Sequence, residues 1–274
     1  MDQNQFVKNK VDQVNVQGYG LHLEGILSQA WAIFKKTFLS LSVVSLVYML
    51  TMVVIWSLMF ESLYGYSFAE IIQMAQDNPE ALESSMGNFT LTSSLIYSLV
   101  FGLGTALVAP ILAGIFQVCY RQKYEGGSSS SDLFVFYKTP YFGNILIYSF
   151  LLSFVLQMLN FLMSEWVPTM GGMLGTFLQV LIQVSLVFTI PLIVFGKMGW
   201  IEAMQSSIKI TTKNWFFLFF VLAIGLILSM LGILLCGIGV MFTYPFFYVV
   251  VFAIYDEVIG FNQSNDPIAE IGEN

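Results

Sequence analysis

Uncharged apolar runs recur along this chain, over residues 37–60, 91–120, 142–164, 171–196, 216–236 and 239–255. At 1.5 Å of rise per residue they reach between about 26 and about 45 Å, against a hydrocarbon core of about 30 Å. Each predicts a spanning helix, and the second overshoots, so it must tilt, kink or protrude. The last two runs are joined by Cys236, Gly237 and Ile238 with hardly a polar residue. A shallow re-entrant hairpin is therefore an alternative to two full crossings there. The pattern predicts an all-α protein, a polytopic transmembrane helix bundle of about six spans. The transmembrane domain covers 19–258, after a polar segment over 1–18 and before an acidic tail over 259–274.

Composition agrees with this. Charged residues make up 10% of the 274 and hydrophobic ones 57%, with a mean hydropathy of +0.78. A soluble domain is about a quarter charged, so polar residues are too few here to coat one in water. The first apolar run is too long and too late for a signal peptide and reads as an uncleaved anchor. Cys119 and Cys236 fall at opposite ends of the apolar layer, too far apart for a disulfide.

The cations orient the chain. Lys8, Lys10, Lys35 and Lys36 precede the first span, Arg121, Lys123 and Lys138 lie between the second and third, and Lys197, Lys209 and Lys213 between the fourth and fifth, which accounts for all 10. Lys and Arg in short loops stay in the cytoplasm, so both termini are expected inside. The alternate loops hold no cation, and the first of them carries Glu61, Glu70, Asp77, Glu80 and Glu83. These acids, and those from Asp256 onward, read as solvated surface. Within that loop, residues 68–76 have a short helical pattern.

A threefold repeat emerges at the lead-in to each odd-numbered span. Ser28, Lys35 and Phe38 recur as Ser131, Lys138 and Tyr141, then as Ser206, Lys213 and Phe216, and each even-numbered span holds a proline, Pro110, Pro191 or Pro245. The spans then form three related hairpins, each preceded by a cytoplasmic amphipathic helix. In the first lead-in, Leu23, Ile26, Leu27, Ala30, Trp31 and Phe34 follow the helical stripe. Such helices lie in the headgroup plane. They serve either as interfacial feet or, through the Ser and Lys positions, as headgroup contacts. The prolines kink their helices, either shaping packing only or opening a cavity between them, and Thr105, Thr189 and Thr243 are near enough to satisfy the freed carbonyls.

No Asp, Glu, Lys, Arg or His lies inside a span, and His22 is the only histidine. Embedded catalysis, proton-coupled transport and a metal or cofactor site are disfavoured, because each needs such groups at depth. No phosphate-binding glycine loop or nucleic-acid signature is present, and residues 126–131 read as a flexible connector ending in a helix cap. The polar residues at depth are Gln157 and Asn160 on the third span and Gln179 and Gln183 on the fourth. They are either helix glue or the polar lining of a substrate site.

The segments Gly25-Ile-Leu-Ser-Gln-Ala-Trp31-Ala-Ile-Phe-Lys-Lys36, Ala109-Pro-Ile-Leu-Ala-Gly114 with Tyr120-Arg121 and Asp132-Leu-Phe134, and Glu202-Ala-Met-Gln-Ser206 with Lys213-Asn-Trp215 resemble a bacterial six-span membrane family. That family is related to the membrane domain of some glycerophosphodiester phosphodiesterases. The resemblance covers most of 20–258 and implies a location in the cytoplasmic membrane of a bacterium and a role in lipid or envelope upkeep. The soluble phosphodiesterase domain of some relatives is missing, so its activity is not carried over. The expectation is a non-enzymatic organiser of membrane lipids or of other membrane proteins. The alternative is a transporter or lipid-moving protein with a cavity between the kinked helices.

Overall fold

The computed structural model describes residues 2–78, 90–167, 169–234 and 239–261, and among these there is no strand. The helices are α1 (Gln3–Gln17), α2 (Leu23–Tyr64), α3 (Phe68–Asp77), α4 (Leu91–Tyr120), α5 (Phe142–Trp166), α6 (Gly171–Ser185), α7 (Thr189–Val194), α8 (Trp200–Thr212), α9 (Trp215–Met230), α10 (Val240–Thr243) and α11 (Pro245–Val258). A π-helical turn, Arg121–Glu125, continues α4, and 3-10 helices cover Ser130–Lys138 and Leu231–Leu234.

Six helical stretches are long and apolar enough to cross a membrane: Leu23–Ile55, Leu91–Glu125, Phe142–Trp166, Gly171–Val194, Trp215–Leu234 and Val240–Val258. They overlie the six apolar runs. Large apolar side chains such as Leu103, Leu107, Phe177, Ile227 and Leu234 stand exposed on them, an arrangement suited to lipid and costly in water. The tail from 262, and Cys236 within the join between the last two spans, lie outside the described residues. Cys119 is fully buried.

The chain forms two compact units. The first comprises Met1–Leu46, Ala109–Ile147 and Val180–Asn274, and the second Val47–Val108 and Tyr148–Gln179. In the first unit α9 packs against α11, α7 against α8, and α8 against α1. Its core holds Leu41, Ile115, Leu133, Phe136, Phe188, Leu192, Phe195 and Phe252, all fully or almost fully buried.

Three local findings depart from the linear reading. Within the N-terminal polar segment, Gln3–Gln17 is a helix, because Val7, Val11 and Val14 recur on one face and are buried with Gln3. Asn4 Nδ2 ties it to the carbonyls of Gly196 and Lys197, at 2.8 and 3.1 Å, and Lys8 pairs with Glu202 at 2.8 Å. Second, the lead-ins differ from one another. The first runs unbroken into its span as α2, because nothing in Lys35-Lys36-Thr37-Phe38 stops a helix. The second is the 3-10 helix Ser130–Lys138, capped by Ser129 and Asp132. The third, α8, ends where Asn214 leaves the helical region (φ −148°) and donates to the Tyr19 carbonyl at 3.3 Å.

Third, the threonines near the prolines do not serve the freed carbonyls. Thr105 Oγ1 lies 2.9 Å from the carbonyl of Gly102, Thr243 Oγ1 lies 2.5 Å from that of Ser229, and buried Thr189 Oγ1 has no partner among the described residues. Just before Pro191, side chains of α8 serve the backbone of the turn. The chain turns between α6 and α7, where Ser207 Oγ donates to the Ser185 carbonyl at 2.9 Å and accepts from the Phe188 amide at 3.2 Å. Thr211 Oγ1 reaches the same Ser185 carbonyl at 3.2 Å. Ser207→Ala leaves a buried amide unsatisfied, and the expected destabilisation is about 1–3 kcal/mol in thermal unfolding of the purified chain. An unchanged midpoint would show that the turn needs no such bond.

The acidic loop carries α3 where the 68–76 pattern places it. Ser67 and Glu70 form a reciprocal cap, and the Ser67 hydroxyl and amide hold the Glu70 carboxyl below its usual range.

Candidate binding site

A pocket of about 310 Å³ opens in the second unit, lined by Ser94, Tyr97 and Ser98 of α4 and by Gln157, Asn160, Phe161, Ser164 and Glu165 of α5. Helical spacing explains the convergence. Ser94, Tyr97 and Ser98 are at i, i+3 and i+4, and Gln157, Asn160, Phe161 and Ser164 at i, i+3, i+4 and i+7, so each set shares one face. The helices run antiparallel and close together here. A Cβ on Gly102 would stand 3.2 Å from the Phe150 ring, and Thr105 Oγ1 lies 2.7 Å from Ser153 Oγ.

Counted along the helices, the lining begins about 5 Å inside the start of α4 at Ser94 and reaches about 14 Å inside the end of α5 at Gln157. Ser94 and Ser98 are 1% exposed, Gln157 and Asn160 are half-buried, and Ser164 and Glu165 are exposed, so the serines on α4 are desolvated and the rim at the end of α5 is wet. Ser164 Oγ donates to the Asn160 carbonyl at 2.9 Å. Ser94 Oγ has no partner among the described residues, an arrangement that costs free energy unless something in the pocket completes it.

Behind this wall, α6 is held against α5 by a small-xxx-small pair. A Cβ on Gly171 would lie 1.8 Å from the Met163 carbonyl oxygen, and one on Gly175 would lie 2.9 Å from Asn160 Nδ2. Glycine at these two positions lets the backbones approach and sets where Asn160 stands.

Of the four polar residues singled out at depth, Gln157 and Asn160 meet in the pocket. Gln179 Nε2 instead donates to the Leu156 carbonyl at 2.7 Å, tying α6 to α5. Gln183 is exposed and belongs to the first unit. The α4 residues Ser94, Tyr97 and Ser98 escaped the linear reading, although their i, i+3, i+4 spacing was a signal in Thr-Ser-Ser-Leu-Ile-Tyr-Ser. Pro110, Pro191 and Pro245 are buried, and none lines this pocket. Among the candidate headgroup contacts, Ser28, Lys35, Ser131, Lys138 and Lys213 are exposed. Ser206 is 7% exposed on the packed face of α8, which removes it from that role. Near Lys35, the Trp31 ring is 53% exposed, with Lys35 Nζ 5.9 Å above its centroid.

A second polar cluster lies in the first unit around Asp256. Its carboxylate, 6% exposed, accepts from Gln29 Nε2 at 2.9 Å, from Tyr124 OH at 2.5 Å and from Lys123 Nζ. Beside it, Glu257 Oε1 accepts from the His22 amide at 2.9 Å and lies 2.8 Å from His22 Nδ1. Arg121 Nη1 reaches Asp132 at 2.6 Å. The reading of Asp256 as solvated surface is thus corrected: it closes α11 inside the fold, where three donors compensate its desolvation. These groups satisfy one another and hold structure.

Fold and site together define a multi-pass helical membrane protein with a polar pocket between two of its spans. Comparisons of the chain with protein-family models, with curated proteins and with solved structures find no match.

Proposed function

We propose that this protein is a non-enzymatic, lipid-engaging organiser of the bacterial cytoplasmic membrane, holding the polar part of a membrane lipid in the pocket between α4 and α5. The observation that carries the reading is the polar set in the pocket, buried Ser94 and Ser98 with half-buried Gln157 and Asn160, on spans whose other faces are apolar. Polar groups at such depth are costly and mark function. The placement of all cations on one set of helix ends supports cytoplasmic termini. Exposed Trp31 with Lys35, and Tyr137 and Phe134 beside Lys138, suit contact with anionic headgroups at that surface. The resemblance to the six-span family points the same way, toward lipid or envelope upkeep.

The test is the lipid that stays with the full-length protein after purification. Wild type is expected to retain a defined lipid by native mass spectrometry. The Gln157→Leu/Asn160→Leu double variant is expected to retain at least about tenfold less of it with its thermal unfolding unchanged. A retained lipid indifferent to both substitutions would remove the pocket from the reading.

A further inference from the structure

We propose that the group this pocket takes is uncharged and polyhydroxylated, a glycosyl unit, in preference to any phosphate-bearing or ammonium-bearing headgroup; the inference rests on the binding reading above. Charge decides against phosphate. The described residues of the second unit include Glu61, Glu70, Asp77 and Glu165 but no Lys, Arg or His. A phosphate in the pocket would meet no counter-charge from this unit to offset the loss of its hydration, and the exposed Glu165 carboxylate at the rim adds no attraction.

Hydrogen-bond arithmetic decides against an ammonium. Gln157 and Asn160 each offer two N–H donors and a carbonyl acceptor, and the serines offer hydroxyls. An ammonium has donors only, so it would supply no acceptor to the amide N–H groups of half-buried Gln157 and Asn160. Sugar hydroxyls both donate and accept, and so complete amides and serines alike. Ser94 Oγ is buried and without a partner among the described residues, and a ring hydroxyl supplies one. Glu165, at the wet rim, can accept from a further hydroxyl and is too solvated to select a cation strongly.

The aromatic residues fit the same ligand. Tyr97 and Phe161 come from the two opposed helices and set aromatic surface beside the polar groups, which suits a sugar with both C–H and O–H faces. At about 310 Å³ the space is at the small end for ligand pockets, enough for one monosaccharide unit with its aglycone outside.

The test uses the full chain in phosphatidylcholine nanodiscs doped equally with monoglucosyl diacylglycerol, phosphatidylglycerol and phosphatidylethanolamine, read by native mass spectrometry. The glycolipid is expected to be retained about tenfold over either phospholipid, and Asn160→Ala and Gln157→Ala each to lower that retention about fivefold. Ser94→Ala, which removes only the unpartnered hydroxyl, gives the same readout if a larger truncation fails to fold. Displacement of the glycolipid by free glucose identifies a soluble sugar as ligand; its failure identifies a lipid-borne one, and both results keep the glycosyl assignment. Preferred retention of phosphatidylethanolamine or phosphatidylglycerol, sensitive to Asn160→Ala, overturns the glycosyl inference and leaves lipid binding standing. Retention indifferent to all three substitutions overturns both.

Discussion

Replacing Gly114 by alanine is expected to cost more than 2 kcal/mol, at the upper part of the about 1–3 kcal/mol range for overpacking, and to leave little monodisperse protein. Gly114 sits inside α4, facing the 3-10 helix Ser130–Lys138. A Cβ there would lie 2.2 Å from the Leu133 carbonyl oxygen and 2.5 Å from its Cα. These are backbone atoms, so no rotamer change relieves the contact. The 3-10 helix cannot retreat without loss either. Leu133 and Phe136 are buried at 0% and 1% exposure, and Asp132 is tied to Arg121 while capping the helix. Alanine ordinarily favours a helix over glycine by about 1 kcal/mol, so destabilisation here would have to overcome that gain. Size-exclusion profiles and thermal unfolding of Gly114→Ala and of the bulkier Gly114→Val check the expectation. A variant as stable as wild type would mean that the two elements do not pack this closely.

Asp256→Ala is expected to destabilise by about 3 kcal/mol, the lower end for breaking a buried ion pair. Three donors lose their acceptor at once: Lys123, Tyr124 and Gln29. Lys123 keeps 30% of its side chain in contact with solvent, which places the cost at the low end. Removing both charges in an Asp256→Leu/Lys123→Met double variant is expected to recover part of the loss, since an orphaned ammonium is worse than none. Thermal unfolding of the singles and the double measures this. Additive losses would contradict a direct pairing.

These two sites also show how far the sequence could be read. Gly114 faces the backbone of Leu133, and Arg121 pairs with Asp132. Glu202 holds α1 through Lys8. As strings the segments that hold these residues were short and degenerate; as contacts they join elements distant in sequence. Asp256 shows the opposite. Its position four residues before Gly260 looked like the opening of an acidic tail, because nothing local announces that Gln29, Lys123 and Tyr124 will surround it.

The spans were legible from the chain alone because lipid allows a backbone few options. A segment crossing hydrocarbon must satisfy its own amides, so a long apolar run is a helix wherever it packs. The short helix over Phe68–Asp77 was legible for a similarly local reason, its Ser67 cap and periodicity. Helix rotation and partner choice are not local. Whether Gln157 meets Ser94 across a pocket or Gln179 across a seam depends on which faces α4, α5 and α6 turn toward each other. Gly102, Gly171 and Gly175 set that by allowing close approach. The sequence by itself determined that there are polar groups among the apolar runs and which residues they are. Only the tertiary structure divided them, Gln179 to a neighbouring carbonyl and Gln157 and Asn160 to a pocket, because hydrogen bonds are spent in space and not along the chain.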